Sequence, residues 1–284
     1  MQAARDKAAR RVAEPRPADP RPVTQLARPA PAPAPAPAST TPGMTVGLRQ
    51  FGKGGSLVPE SADRNIYEQF RRIKRPLLQC AFGNLAQAGT QIVMITSPLQ
   101  GAGKTFVSSN LAYVLAQEKD RTVLIVDTDN ANPSLTRQLG LQGRPGLYDI
   151  IQDPGLTLDD VVCPTDVPGL YVLPAGRQVS DSLERLNSER CREILAQGLA
   201  RHPNGIVILD APPLLVTNEA PAVASLAGQY LLIVEAGVTS RSSVSKSLEL
   251  LDEQKPIGLI LNKAPAYGDL GHYYYAYPAQ NSPP

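Results

Sequence analysis

The stretch QIVMITSPLQGAGKTFVSSNLAYVLAQE, residues 91–118, decides the fold. Its first six residues form a short apolar run, the length of a buried strand. Residues 105–118 read as a helix. Between them lies TSPLQGAGKT. A bound phosphate needs several converging backbone N–H donors. Glycines let the backbone approach it, a helix N-terminus adds its dipole, and a lysine reaches the β- and γ-phosphates. Gly101, Ala102, Gly103, Lys104 and Thr105 supply those parts, with the Thr105 hydroxyl available to Mg²⁺ and Phe106, the next residue, counted among the nucleotide-binding positions. The strict pattern has Gly at position 98, where this chain has Pro98. A Gly-rich turn with a surface lysine is the bland alternative; strand, loop and helix in this order argue against it. Ser97 and Asn110 lie close enough in sequence to assist, and helix packing accounts for them equally well.

Outward from this stretch, apolar strands and helices alternate. Strands are expected at 122–127, 169–175, 205–210, 229–236 and 256–263. Helices are expected at 218–227 and 241–254, in two pieces over 181–201, and as short segments around 133–152 and 157–162. Continuously apolar strands separated by helices form a parallel sheet covered on both faces. The fold class is therefore α/β: a doubly wound, mainly parallel sheet of P-loop NTPase type. Ligands of such sheets bind at the carboxyl ends of the strands. VLIVDTD brings Asp127 and Asp129 to that end, and IVILDAPP brings Asp210. Each alone could be a helix cap. Together with the phosphate loop they form a magnesium-organising and hydroxyl-activating cluster. Asn262, followed by Lys263 after the last strand, could meet an adenine edge or simply form a turn.

Composition sets the boundaries. Residues 1–60 hold eleven of the 28 prolines, with a Pro/Ala alternation at 29–38, and carry a net charge of +5 against −3 for the remainder. Such a segment favours extended polyproline II and builds no core. Residues 1–60 are read as a disordered basic tail, dispensable for folding; 61–264 as the P-loop domain; 265–284 as a flexible, tyrosine-rich tail. SADRNIYEQFRRIKRPLL, from Ser61, reads as an amphipathic helix capped by Ser61 or Asp63 and bent or ended by Pro76. The mildly acidic folded part is a poor nucleic-acid binder by bulk charge. Three scattered cysteines and two histidines, His202 and His272, exclude a disulfide scaffold and a Cys- or His-based metal site, and suit a reducing cytosol. No apolar run approaches a bilayer span, and the opening residues lack the apolar core of a secretory signal.

Near the C-terminus, Tyr273, Tyr274, Tyr275 and Tyr277 cluster between Gly271 and Pro278. Taken with TSPLQGAGKT, VLIVDTDNANPS and IVILDAPPLL, this pattern resembles the bacterial protein-tyrosine kinase family, the Walker-type autokinases of capsule and exopolysaccharide assembly. EQFRRIKRPLL (68–78) is similar to the variant of that family associated with exosortase-type gene clusters. Cell-division and partition ATPases of the MinD/ParA type are P-loop relatives, but they carry a signature lysine where this chain has Leu99. HRD and DFG signatures of eukaryote-like kinases are missing.

The resemblance implies ATP and Mg²⁺ as cofactors. Lys104 and Thr105 would hold the phosphates and the metal, Asp129 and Asp210 would organise Mg²⁺, and Asp127 would activate the tyrosine hydroxyl. It makes the four tail tyrosines phosphoacceptors in trans, and Glu68, Arg71 and Lys74 the contacts of a homo-oligomeric ring. It implies a membrane chain-length or co-polymerase activator, a tyrosine phosphatase, and a cytoplasmic location at the inner membrane through a partner. Departures are Asn132–Pro133 for the usual Arg-Pro, which removes a cation near the site, Gln100 for a usual proline, and Lys74 for an arginine, which keeps charge without the bidentate fork. A nucleotide-switched regulatory scaffold with little kinase activity is the alternative of a different class, and a MinD/ParA-like ATPase working by dimerisation is a third, opposed by Leu99.

Overall fold

The computed structural model describes residues 45–48, 57–58, 63–200 and 204–265. Helix α1 (Arg64–Phe82) precedes strand β1 (Ile92–Thr96), helix α2 (Lys104–Ala116) and β2 (Thr122–Asp127). Three short helices follow, α3 (Ser134–Gln138), α4 (Leu147–Gln152) and α5 (Leu158–Val161), then β3 (Cys163–Pro164) and β4 (Leu170–Leu173). Helices α6 (Ser182–Asn187) and α7 (Glu189–Ala200) lead to β5 (Gly205–Asp210). The remainder is α8 (Glu219–Leu226), β6 (Gln229–Glu235), α9 (Arg241–Glu249) and β7 (Ile257–Asn262).

The strands form one sheet in the order β3-β4-β2-β5-β1-β6-β7, parallel except for the antiparallel β3–β4 pair. Side chains alternate between two apolar layers, as the two-residue strand period requires. Val93, Ile95, Val123, Ile125, Ile206 and Ile208 join the layer under α1 and α2, while Met94, Leu124, Val126, Val207 and Leu209 join the layer under α4 to α8. Helix α2 buries ten of its thirteen residues, because it lies between the sheet and α1. The register sets Asp127 beside Asp210 and Ile95 beside Asp210, so strands β1, β2 and β5 end at one level.

Two differences from the sequence reading have clear physical causes. Asp63 caps α1, accepting from the Asn65 and Ile66 amides, but Pro76 neither ends nor caps the helix, which runs on to Phe82. Pro76 and Arg72, four residues before it, are both exposed, so the carbonyl that loses its helical donor faces water. Second, the stretch read as a tail contains docked residues. Val46, Leu48 and Leu57 are 3–5% exposed and belong to the α1/α2 layer. Val46 donates to the Pro164 carbonyl at 2.9 Å and accepts from the Asp166 amide at 3.0 Å; the Leu48 amide donates to Asp166 Oδ1 at 2.7 Å. The Val58 amide reaches Asn110 Oδ1 on α2 at 2.8 Å. Among the described residues no helix is long and apolar enough to cross a membrane.

Candidate nucleotide site

The loop from Ser97 to Gly103 connects β1 to α2. Its entry is fixed by neighbours of the Asp210 strand: Thr96 Oγ1 donates to the Pro212 carbonyl at 2.7 Å, and the Leu214 amide to the Ser97 carbonyl at 2.9 Å. Ser97 Oγ closes on the Leu99 carbonyl at 2.6 Å, so this serine shapes the loop. Gly101 and Gly103 have φ of +85° and +92°, a region that side-chain-bearing residues rarely enter. Gly103 also lacks room: a Cβ there would collide with Asn262 Nδ2. Among the described residues the Ala102 and Gly103 N–H groups have no hydrogen-bond acceptor, although Ala102 is 2% exposed. Gly103 is half-buried, and two neighbouring N–H donors left open in this way can take a phosphate oxygen.

Behind the loop stand the carboxylates. Thr105 Oγ1 donates to Asp210 Oδ2 at 2.7 Å, and Ser108 Oγ to Asp210 Oδ1 at 2.9 Å. Ser108, one helical turn after Thr105, escaped the sequence reading; the three-residue spacing was its signal. Burial drives the Asp210 carboxyl well above the usual range, opposed by the Thr105 bond and the Lys104 charge. Burial pulls Lys104 down, against Asp210 and Asp129. Asp129, partly exposed, is raised by burial, while its bond from the Asn132 amide and the Lys104 charge pull it down.

Asp127, to which the resemblance gives the tyrosine hydroxyl, lies deeper than Asp129. It is wholly buried, and Oδ2 accepts from both the amide and the hydroxyl of Thr136 at 2.8 Å, while Oδ1 receives the Asp129 amide at 3.2 Å. It braces the first turn of α3 and the loop after β2. Burial, then the Asp210 charge, raises its carboxyl. Thr136, with no sequence signal of its own, ties this brace to the Ala175 amide at 2.9 Å. Asn130 fixes the adjoining wall, donating to the Val179 carbonyl at 2.8 Å and accepting from its amide at 3.0 Å.

Other predicted positions are distributed as follows. The Phe106 ring packs against Phe70 of α1, with centroids 5.9 Å apart, and so belongs to the α1–α2 contact. The Asn262 amide donates to the Ala102 carbonyl at 2.8 Å, under the loop. Arg71 pairs with Glu68 at 2.8 Å within α1, whereas Lys74 pairs with Glu118. The cation expected to be missing at position 132 is supplied nearby: Arg137 Nη2 donates to Asn132 Oδ1 at 2.7 Å. Tyr273, Tyr274, Tyr275 and Tyr277 lie outside the described residues. A cavity of about 370 Å³ opens beside Thr122, Leu124, Leu158 and Tyr171, near the start of β2 and away from this chemistry.

The donor set tests the expected metal. Among the described residues no three His, Cys, Asp or Glu side chains form a metal-ligating cluster. Mg²⁺ needs none: it binds through one or two protein oxygens plus substrate phosphates. The oxygens of Thr105 and Asp210 beside Lys104 fit that pattern, and Asp129, implied for the metal, lies nearer the surface than either.

A family model described as an AAA domain matches residues 90–255. The tyrosine-protein kinase CpsD of Streptococcus agalactiae is 30% identical over 190 residues, covering 64% of this chain and 81% of CpsD. The chain belongs to the bacterial tyrosine-protein kinase family. The tyrosine-protein kinase wzc of Salmonella typhimurium is 32% identical over 199 residues, which is 68% of this chain and 27% of wzc, so the chain spans about a quarter of that relative. The kinase domain of the Escherichia coli tyrosine kinase ETK superposes with a TM-score of 0.61 at 28% identity, over 75% of this chain and 86% of that domain. As a family member the chain has the doubly wound P-loop fold expected from its alternating strands and helices, with its functional loop at the carboxyl edge of the sheet.

Proposed function

We propose that this chain is an ATP-dependent protein-tyrosine autokinase acting in capsule or exopolysaccharide assembly, with the tyrosines at 273, 274, 275 and 277 as phosphoacceptors. The observation that carries this reading is the meeting of Lys104, Thr105, Asp129 and Asp210 beside the orphaned amides of the phosphate loop, in a chain of this family. The loop amides and Lys104 bind the phosphates. Thr105 and Asp210 hold Mg²⁺, whose charge, when bound, offsets the negative charge building on the transferred group. Asp129, at the rim, accepts the proton of the entering tyrosine hydroxyl; the tyrosine oxygen bonds the γ-phosphorus and the ADP oxygen leaves. Asp127 keeps the Asp129 loop in place through the Asp129 amide. Glu68 and Arg71 would present their pair to a neighbouring copy in a ring, with Lys74 acting from within through Glu118. A membrane activator of the chain-length or co-polymerase type would place the ring at the inner membrane, and a tyrosine phosphatase would reset the tail.

Incubation of the full chain with Mg-ATP, followed by intact mass and phosphopeptide mapping, tests the reading. Phosphate should appear on the tail tyrosines of wild type and not of Lys104→Ala. A Lys104→Ala chain with its tail intact should be labelled when mixed with an active chain whose four tail tyrosines are Phe. ATP binding without any phosphate incorporation would refute the kinase assignment in favour of a nucleotide-switched scaffold.

A further inference from the structure

Two consecutive peptide units of the phosphate loop are held from below by the end of β7. Lys263 Nζ donates to the Gly101 carbonyl at 2.7 Å, and Asn262 Nδ2 to the Ala102 carbonyl at 2.8 Å. A planar trans peptide points its C=O and N–H in opposite directions. Fixing the Gly101 carbonyl therefore turns the Ala102 N–H to the other side of the loop, and fixing the Ala102 carbonyl does the same for the Gly103 N–H. Those are the two orphaned amides. Lys263 is built for this task at some cost. It has φ +57°, uncommon outside glycine, where the chain turns as it leaves β7. Glu235, with its side chain 17% exposed, holds the ammonium at 2.9 Å. A charged donor on a carbonyl makes a stronger bond than a neutral one and polarises the same peptide, strengthening its N–H as a donor.

We infer that Lys263, anchored by Glu235 and seconded by Asn262, is a positioning residue that aims and polarises the loop amides toward the diphosphate of a nucleotide. Among the described residues Lys263 meets the loop at its far side, so its effect passes through the Ala102 N–H. The inference rests on the nucleotide reading of the loop, and the controls separate the two.

Calorimetry with Mg-ADP on the full chain is the test, run beside thermal melts. Lys263→Met should weaken Mg-ADP about ten-fold, while its melting temperature in the absence of nucleotide falls by no more than about 4 °C. Lys263→Gln, which keeps a donor without its charge, should fall in between, and Lys263→Arg should recover most of the affinity. In turnover assays the loss should appear in KM more than in kcat. Lys263→Met affinity within two-fold of wild type, with Lys104→Ala binding abolished, overturns the role of Lys263 and leaves the nucleotide site standing. Wild-type affinity in Lys104→Ala refutes the nucleotide reading itself. A loss in Lys263→Met that tracks a lower melting temperature and is not recovered by Arg reduces Lys263 to a structural brace.

Discussion

Gly103 and Asn262 occupy one space from two ends of the chain, and a double-mutant cycle can measure it. Gly103→Ala imposes two costs. At φ +92° an alanine is strained by roughly 1–3 kcal/mol, slightly offset by a stiffer unfolded chain. Its Cβ would also collide with Asn262 Nδ2, so Asn262 must leave and the Ala102 carbonyl loses a hydrogen bond worth about 1 kcal/mol. The sum is roughly 2–4 kcal/mol before that small offset. Asn262→Ala alone removes the same hydrogen bond, about 1 kcal/mol. In the double variant that bond is lost only once and the collision is gone. The double variant should therefore be no less stable than Gly103→Ala, leaving a coupling of about 1 kcal/mol. Urea denaturation of the nucleotide-free chain reads each corner of the cycle. Additivity within about 0.3–0.5 kcal/mol would show that the two residues do not share this space, and would remove the basis for holding the Ala102 carbonyl from β7.

Leu48→Ala should destabilise the domain by about 2–3 kcal/mol, the lower part of the range for buried leucines, and lower the melting temperature by about 4–12 °C. A shift below about 0.5 kcal/mol would mean that the segment is the undocked spacer its composition describes. The raised carboxyls of Asp127 and Asp210 keep protons in the folded chain that the unfolded chain has already released. Their contribution is thus most favourable below the ordinary carboxylate range and is lost as pH rises from there toward neutrality. Melting temperatures of nucleotide-free wild type should fall relative to Asp210→Asn between pH 5 and pH 8; parallel curves would contradict the assigned shift.

The phosphate loop was legible because all its parts are local: an apolar strand, two glycines, a lysine and a helix lie within one stretch of chain. The meeting of Asp129 and Asp210 followed from the rule that strand ends share an edge, and the observed register obeys it. What escaped depended on partners distant in sequence. Nothing near Asp127 in sequence reveals that Thr136 will bond its carboxylate, so the resemblance implies a role for that carboxyl but not its brace. Asn262 was placed at the correct end of its strand, but the direction of its amide depends on a loop 160 residues away. Val46, Leu48 and Leu57 sit among glycines and prolines without any period, so only the layer they enter shows that they are buried. Lys74 keeps a positive charge in α1, yet Glu118 takes it inward.

The docked residues before α1 also define a load path. Among the described residues, a pull from the N-terminal side first meets Val46, on the β3 margin of the sheet, and not the nucleotide loop. Force must then break the Val58–Asn110 bond and the Asp63 cap before it reaches α1, whose Phe70 rests on Phe106 just beyond Lys104. Parting the bonds of Val46, Leu48 and Val58 leaves α1, α2 and the phosphate loop together, because none of those three residues bonds to the loop. Among the described residues these contacts act as a mechanical fuse, set between the chain ahead of them and the nucleotide-binding parts.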